Sequence, residues 1–160
     1  MPLIINQQRV NDDTWLRVSE EQPLPSAGDR LVPWALWCEH KATLKAAEGR
    51  LGVLIEPDQE LEALAPDLPD LALVAINFPS FADGRGFSLA RLLREKYGFT
   101  GQVRAVGAVS WDRLRFMARC GFDALEVPEE RYSDDMLQAF DEISVRYQGA
   151  ADDPRPLFRR

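Results

Sequence analysis

Cysteine and histidine are scarce in this chain: Cys38, Cys120 and His40 are the only ones among 160 residues. Neither cysteine belongs to a Cys-x-x-Cys pair, which excludes a thioredoxin-like motif, a zinc ribbon and the ligand set of an iron–sulfur cluster. The two thiols read as reduced, mostly buried small hydrophobes rather than a redox pair. A metal needs several ligands, and one imidazole with no His–Cys cluster supplies no usual set, so no metal site is expected and His40 reads as solvated or packed between helices. Long apolar runs are missing as well. Stretches such as Leu71–Ile76 fall far below the ~20 residues of a membrane helix, and Met1-Pro2 leads into a short Leu3-Ile4-Ile5 triplet without a basic segment, so neither a signal peptide nor a membrane partner is expected and the expected location is cytoplasmic. Basic charge is also in deficit. Nineteen Lys and Arg stand against 26 Asp and Glu, a net charge of −7, which argues against a protein that neutralises nucleic-acid backbones.

What is present is enough apolar content, 46%, to build one core without disulfides or structural metal. Leu3–Ile5 and Thr14–Val18 are β-type runs separated by the turn-forming Asn6, Asn11, Asp12 and Asp13, which predicts a short N-terminal β hairpin or edge ribbon. Residues 20–30, with Pro23, Pro25 and Gly28, read as a loop. Pro33 can open a helix that carries Trp34, Leu36, Trp37, His40 and Leu44 and stops at Gly49. After Gly49 apolar runs alternate with amphipathic segments, the pattern of βαβ units and a parallel sheet. The expected strands are Leu51–Ile55, Leu71–Asn77, Gln102–Gly107 and Ala124–Val127. The expected helices are Asp58–Leu64, Ser88–Tyr97, Trp111–Arg119 and Ser133–Tyr147, the last with Met136, Leu137, Phe140, Ile143 and Tyr147 inward. Ser88, Ser110 and Ser133 suit N-caps, each with a staple pair: Phe87 with Leu92, Val109 with Leu114, Tyr132 with Leu137. The expected fold is therefore α/β, with about four β-α units, a mostly parallel sheet that is open or half-barrel-like, and an N-terminal hairpin. Residues 1–147 form one domain, with ribbon and loop at 1–30 and β-α units at 31–147; residues 148–160 form a flexible tail that is disordered or draped on the body.

In such folds ligands bind beyond the carboxyl ends of the strands. The candidates are Glu56 and Asp58, then Asn77–Gly86, Gly107–Asp112 and Glu126–Glu129. In the densest of these, Gly84 and Gly86 bracket Arg85, an arrangement that lets the backbone take positive φ on either side and presents the guanidinium at a helix N-terminus. Gly84, Arg85, Gly86 and Ser88 then form an anion-binding site for a small oxyanion such as sulfite, sulfate or a phosphate ester. The competing account is an Asp83–Arg85 salt bridge that merely pins the loop. Asp83, Asp112 and Glu126, with Glu56, could converge as general acids and bases or Mg²⁺ ligands, though four carboxylates on four loops are ordinary in an acidic domain. There is no nucleophile elbow, no dinucleotide fingerprint and no Walker A lysine. Trp34 and Trp37 suit core aromatics or a partner groove. Arg91, Arg94, Lys96, Arg113, Arg115 and Arg119 suit the solvated faces of two helices.

The run from Phe78-Pro79-Ser80-Phe81-Ala82-Asp83-Gly84-Arg85-Gly86-Phe87-Ser88 to Arg94, continued by Tyr97-Gly98-Phe99-Thr100-Gly101, Arg104-Ala105-Val106-Gly107 and Arg119-Cys120-Gly121-Phe122-Asp123-Ala124, resembles the bacterial domain of unknown function 934 family over roughly residues 34–127. The resemblance implies an oxidoreductase-type role in sulfite reduction, within sulfate assimilation, and sulfite- or sulfate-reduction enzymes as partners. Ala108 stands where the family usually has Asp, and Arg113 where it has Gln, so the resemblance carries no third-loop carboxylate role over to this chain. Six-electron sulfite reduction needs a cofactor chain, usually iron–sulfur and haem, that two thiols cannot hold. No cofactor is evident, although flavin or nicotinamide stays open because a non-fingerprint loop can hold phosphate. Three functions follow as expectations: an accessory component of assimilatory sulfite reduction that binds an anion or a partner around Arg85; a small enzyme on an anionic substrate clamped by Arg85; or a structural module without catalysis.

Overall fold

The computed structural model describes the whole chain except residues 20, 22, 143, 144 and 160. Its strands are β1 (Leu3–Ile5), β2 (Gln8–Val10), β3 (Leu16–Arg17), β4 (Arg30–Pro33), β5 (Leu51–Ile55), β6 (Leu73–Phe78), β7 (Gln102–Gly107) and β8 (Ala124–Glu126). Among the described residues the α-helices α1 (Trp34–Ala46), α2 (Leu61–Leu64), α3 (Arg85–Glu95) and α4 (Trp111–Cys120) alternate with them from β4 onward. They form one sheet in the order β2-β1-β8-β7-β6-β5-β4-β3, parallel from β3 to β8 and antiparallel where β1 joins β8 and β2.

Each β-α-β step from β4 to β8 moves over by one strand in the same direction. Since crossovers share one hand, every helix falls on the same face, and the sheet curls into a half-barrel. The period-2 alternation of the strands separates two cores. Val53, Ile55, Val74, Ile76, Val103, Ala105 and Leu125 face the helices, in one cluster with Trp37, Leu93, Leu114 and Met117. Leu31, Leu73, Ala75 and Val106 face the hollow side, where Trp15 and Leu54 pack against them. That hollow is filled by the segment between β2 and β3, which crosses it as a strap. A Cβ on Gly52 would lie 3.1 Å from the Trp15 ring and 2.7 Å from Leu73, so the strap lies close on the sheet only where β5 lacks a side chain.

Most strand and helix positions follow local sequence, including β7 at Gln102–Gly107 and the Gly121 stop of α4, which takes φ +108°. Several expectations differ. The hairpin partner of Leu3–Ile5 is Gln8–Val10, because Asn6 and Gln7 both adopt left-handed φ (48° and 66°) and close a two-residue turn. Leu16–Arg17 pairs instead with β4 at the far edge of the sheet. β4 itself replaces the end of the expected loop, its Arg30 buried and donating to the carbonyls of Pro25, Ala47 and Glu48. Helix α3 starts at Arg85 with Gly84 as N-cap, so Ser88 lies inside the first turns and caps nothing. The expected helix Ser133–Tyr147 is a 3₁₀ segment, Asp134–Phe140, and Tyr147 is 72% exposed rather than inward. Beyond it, the Tyr147 carbonyl accepts from Leu157 N and the Gln148 carbonyl from Arg119; Ile143 lies outside the described residues. Trp37 is a core residue, its indole N–H donating to Asp67, and Trp34 packs on the same cluster.

Candidate functional site

The carboxyl ends of β5 to β8 gather Glu56, Asn77, Gly107 and Glu126 at one mouth of the half-barrel. Alternation along the strands turns Glu56, Asn77 and Glu126 to the hollow side. Asn77 Nδ2 donates to both Glu56 oxygens, at 3.1 and 2.9 Å. Beside them Gly107 takes φ +88°, and a Cβ there would meet the Phe78 carbonyl at 2.5 Å and Asn77 Oδ1 at 2.7 Å, so only glycine lets β7 turn out at this point.

The loop after β6 closes on itself. Arg85 Nε and Nη2 donate to Asp83 at 3.1 and 2.7 Å, and Arg85 N donates to Asp83 Oδ1 at 3.1 Å. Hydrogen bonds from the Arg85 side chain and backbone hold the Asp83 carboxyl below its usual range. The Arg85 side chain stays 59% exposed. The flanking glycines do not serve the conformation expected of them: Gly84 has φ −99° and Gly86 is not among the residues with positive φ. Gly86 is required by packing, since a Cβ there would lie 2.7–3.1 Å from three atoms of the buried Phe78 ring. Phe78 is held in turn by the Phe87 and Phe122 rings, so it has little room to yield. Gly86→Ala is expected to lose about 1–3 kcal/mol through overpacking, read as a lowered midpoint in denaturant with an unchanged slope.

The other expected site residues have separate partners. Asp112, in the first turn of α4, accepts from Ser110 Oγ at 2.7 Å, so the Ser110 hydroxyl serves the aspartate although its backbone stands at the N-cap. Arg113 stacks on Phe81, 3.9 Å from the ring centroid, and on Phe87 at 5.6 Å; Phe87 meets Phe116 edge-on. These contacts tie the loop after β6 to α4. Glu126, its side chain 8% exposed, accepts from Arg17 of β3 across the hollow. The structure thus gives Asp83, Asp112, Glu126 and Glu56 four different partners.

Sequence reasoning missed the ionic crossing beneath this mouth. Arg104 in β7 is 1% exposed. Its Nη1 and Nη2 donate to Asp13 of the strap at 2.7 and 3.2 Å, and its Nε and Nη2 to Gln102 Oε1 at 3.2 and 3.0 Å. The signal was present: an arginine in the middle of an apolar strand covered on both faces demands a partner.

The residues do not fit an iron–sulfur or haem centre. Cys38 is exposed on α1 and Cys120 is buried at the end of α4, where burial pushes its thiol pKa up. Among the described residues no group of three or more His, Cys, Asp or Glu could hold a metal ion, and no helix is long and apolar enough to cross a membrane.

A family model described as a bacterial protein of unknown function, DUF934, matches residues 52–158. No curated protein matches the chain.

Proposed function

This chain belongs to the DUF934 family of bacterial proteins of unknown function, and from that premise we propose that it is an accessory component of assimilatory sulfite reduction, binding a partner enzyme through the rim around Arg85. The observation that carries an accessory role over a catalytic one is that each acidic group is engaged by a partner of its own. General acid–base chemistry needs groups within hydrogen-bond reach of one reacting centre, whereas Asp83, Asp112 and Glu126 are each engaged elsewhere. The Asp83–Arg85 pair makes the loop a rigid, half-exposed polar knob beside the exposed Phe81, and aromatic and arginine side chains are the types enriched where proteins meet. The pathway rests on the resemblance of the Phe78–Arg94 run to the family.

Deletion of the gene in its host tests the reading. Growth with sulfate as sole sulfur source is expected to slow while growth on cysteine stays normal, and complementation with Arg85→Ala is expected to restore less growth than wild type. Unaffected growth on sulfate would overturn the pathway. Calorimetry of the purified protein with sulfite, sulfate and phosphorylated metabolites separates the catalytic alternative: tight binding abolished by Arg85→Ala would favour a small enzyme clamping its substrate.

A further inference from the structure

The hollow of the half-barrel holds a buried arginine whose carboxylate partner comes from the strap and not from the sheet. Burying a guanidinium is costly, and an apolar residue of similar size usually serves stability as well, so Arg104 asks for a reason other than packing. Its geometry is that of a receptor for a planar anion. Gln102 Oε1 accepts from Nε and Nη2 and fixes the plane of the fork. The remaining donors meet the Asp13 carboxylate with two bonds, at 2.7 and 3.2 Å, the bidentate arrangement arginine uses for carboxylates and oxyanions. The backbone N–H of Trp15 adds a donor to Asp13 Oδ1 at 3.3 Å.

Access and attachment are uneven. The arginine is 1% exposed but the Asp13 side chain is 37% exposed, so the carboxylate that covers the fork, and not the fork itself, is open to solvent on the strap side. The strap is tied to the sheet by β3, only two residues long, by Trp15 over Gly52 and beneath Arg50, by Thr14 to Asp29 and Arg50, and by the Arg17–Glu126 pair at the mouth. We propose that Arg104 and Gln102 form a latent binding site for a small carboxylate or oxyanion, occupied in this structure by the carboxylate of Asp13 as an internal stand-in, and that ligand binding releases the strap. This site lies in the hollow, apart from the Arg85 rim, and stands or falls independently of the partner-binding role.

The test is chemical rescue combined with amide exchange. Asp13→Ala empties the fork; its melting temperature is expected to rise by about 3 °C or more in 50 mM formate or sulfite over chloride at equal ionic strength. Asp13→Ala/Arg104→Met is expected to show no such difference. In the wild-type protein, sulfite or formate is expected to lower amide protection of residues 13–17 at least tenfold while leaving β6 and β7 unchanged. If Asp13→Ala fails to fold, Asp13→Asn serves, since it removes the charge and keeps the shape. The proposal is overturned if the anions give no gain beyond chloride, if the double variant gains equally, or if rescue occurs but strap protection in the wild type does not change.

Discussion

Asp13→Ala should unfold about 3 kcal/mol more easily than the wild type, although Asp13 sits in a loop and is partly exposed. The cost arises at the other end of the pair. Removing the carboxylate leaves the Arg104 guanidinium at 1% exposure with Gln102 as its remaining side-chain acceptor, and breaking a buried ion pair from one side costs ~3–5 kcal/mol; the partial exposure of Asp13 places the expectation at the low end. In a chain of this size the loss corresponds to about 6–12 °C in melting temperature. Replacing both partners, Asp13→Leu with Arg104→Met, is expected to return stability to within ~1 kcal/mol of wild type. Denaturant titrations of the two single variants and the double variant measure this directly. A loss below ~1 kcal/mol in Asp13→Ala would mean that water reaches the guanidinium, and the strap would then contribute little to stability.

Asp67 carries the second large effect. It is buried between α1 and the 3₁₀ run Ala65–Asp70, where it accepts from Trp37 Nε1 at 3.2 Å and lies 2.5 and 3.1 Å from the Nζ atoms of Lys41 and Lys45. Burial alone would push its carboxyl up, but the hydrogen bonds from Lys41, Lys45 and Trp37 outweigh it and hold the pKa below its ordinary value of 3.8. A carboxyl depressed in the folded state stabilises fully above its unfolded pKa, and that contribution fades as the pH falls through the folded one. Asp29 follows the same sign, held at about 2 by the Arg50 side chain and backbone. The wild type should therefore keep its stability near neutral pH and lose it progressively below pH 3.8. Asp67→Ala is expected to lose about 2–4 kcal/mol at pH 7, because Trp37 Nε1 and two ammonium groups lose their acceptor. Its stability should also fall less steeply than that of the wild type at acid pH. Urea midpoints at pH 7 and pH 3 check both statements; an equally steep acid limb in the variant would assign acid sensitivity to other carboxylates.

The candidate site was legible in its addresses and much less so in its chemistry. The apolar runs expected to end at Ile55, Asn77, Gly107 and Val127 stop within one residue of the observed carboxyl ends of β5 to β8, and Glu56, Asp83, Arg85, Asp112 and Glu126 lie at or just beyond those ends. The pairing among them was not legible. Asp83 and Arg85 are two residues apart and their bond is a local event that sequence could suggest. Arg17 and Glu126 are 109 apart, and Asp13 and Arg104 are 91 apart. Asp13 looks like one more turn residue among Asn11, Asp12 and Thr14, and nothing in its neighbourhood shows that it lies against a buried cation. The glycines around Arg85 misled for a related reason: a glycine needed for a left-handed turn and one needed because a ring lies 2.7 Å away look the same in sequence.

By itself the sequence determined the class of this protein: an acidic, thiol-poor α/β domain with parallel strands, the stop of α4 at Gly121, and the loops where polar side chains would collect. These depend on periodicity and capping within a dozen residues, where backbone hydrogen bonding and the burial of one face act locally. The tertiary structure alone decided that consecutive strands become neighbours and curl the sheet, that the strap fills the hollow, and that Asp13 meets Arg104 there. The last of these closes a loop of roughly a hundred residues, and the entropy cost of closure grows only slowly with length. The choice of partner is therefore left to fit and charge inside the folded hollow, where a buried arginine has to find a carboxylate.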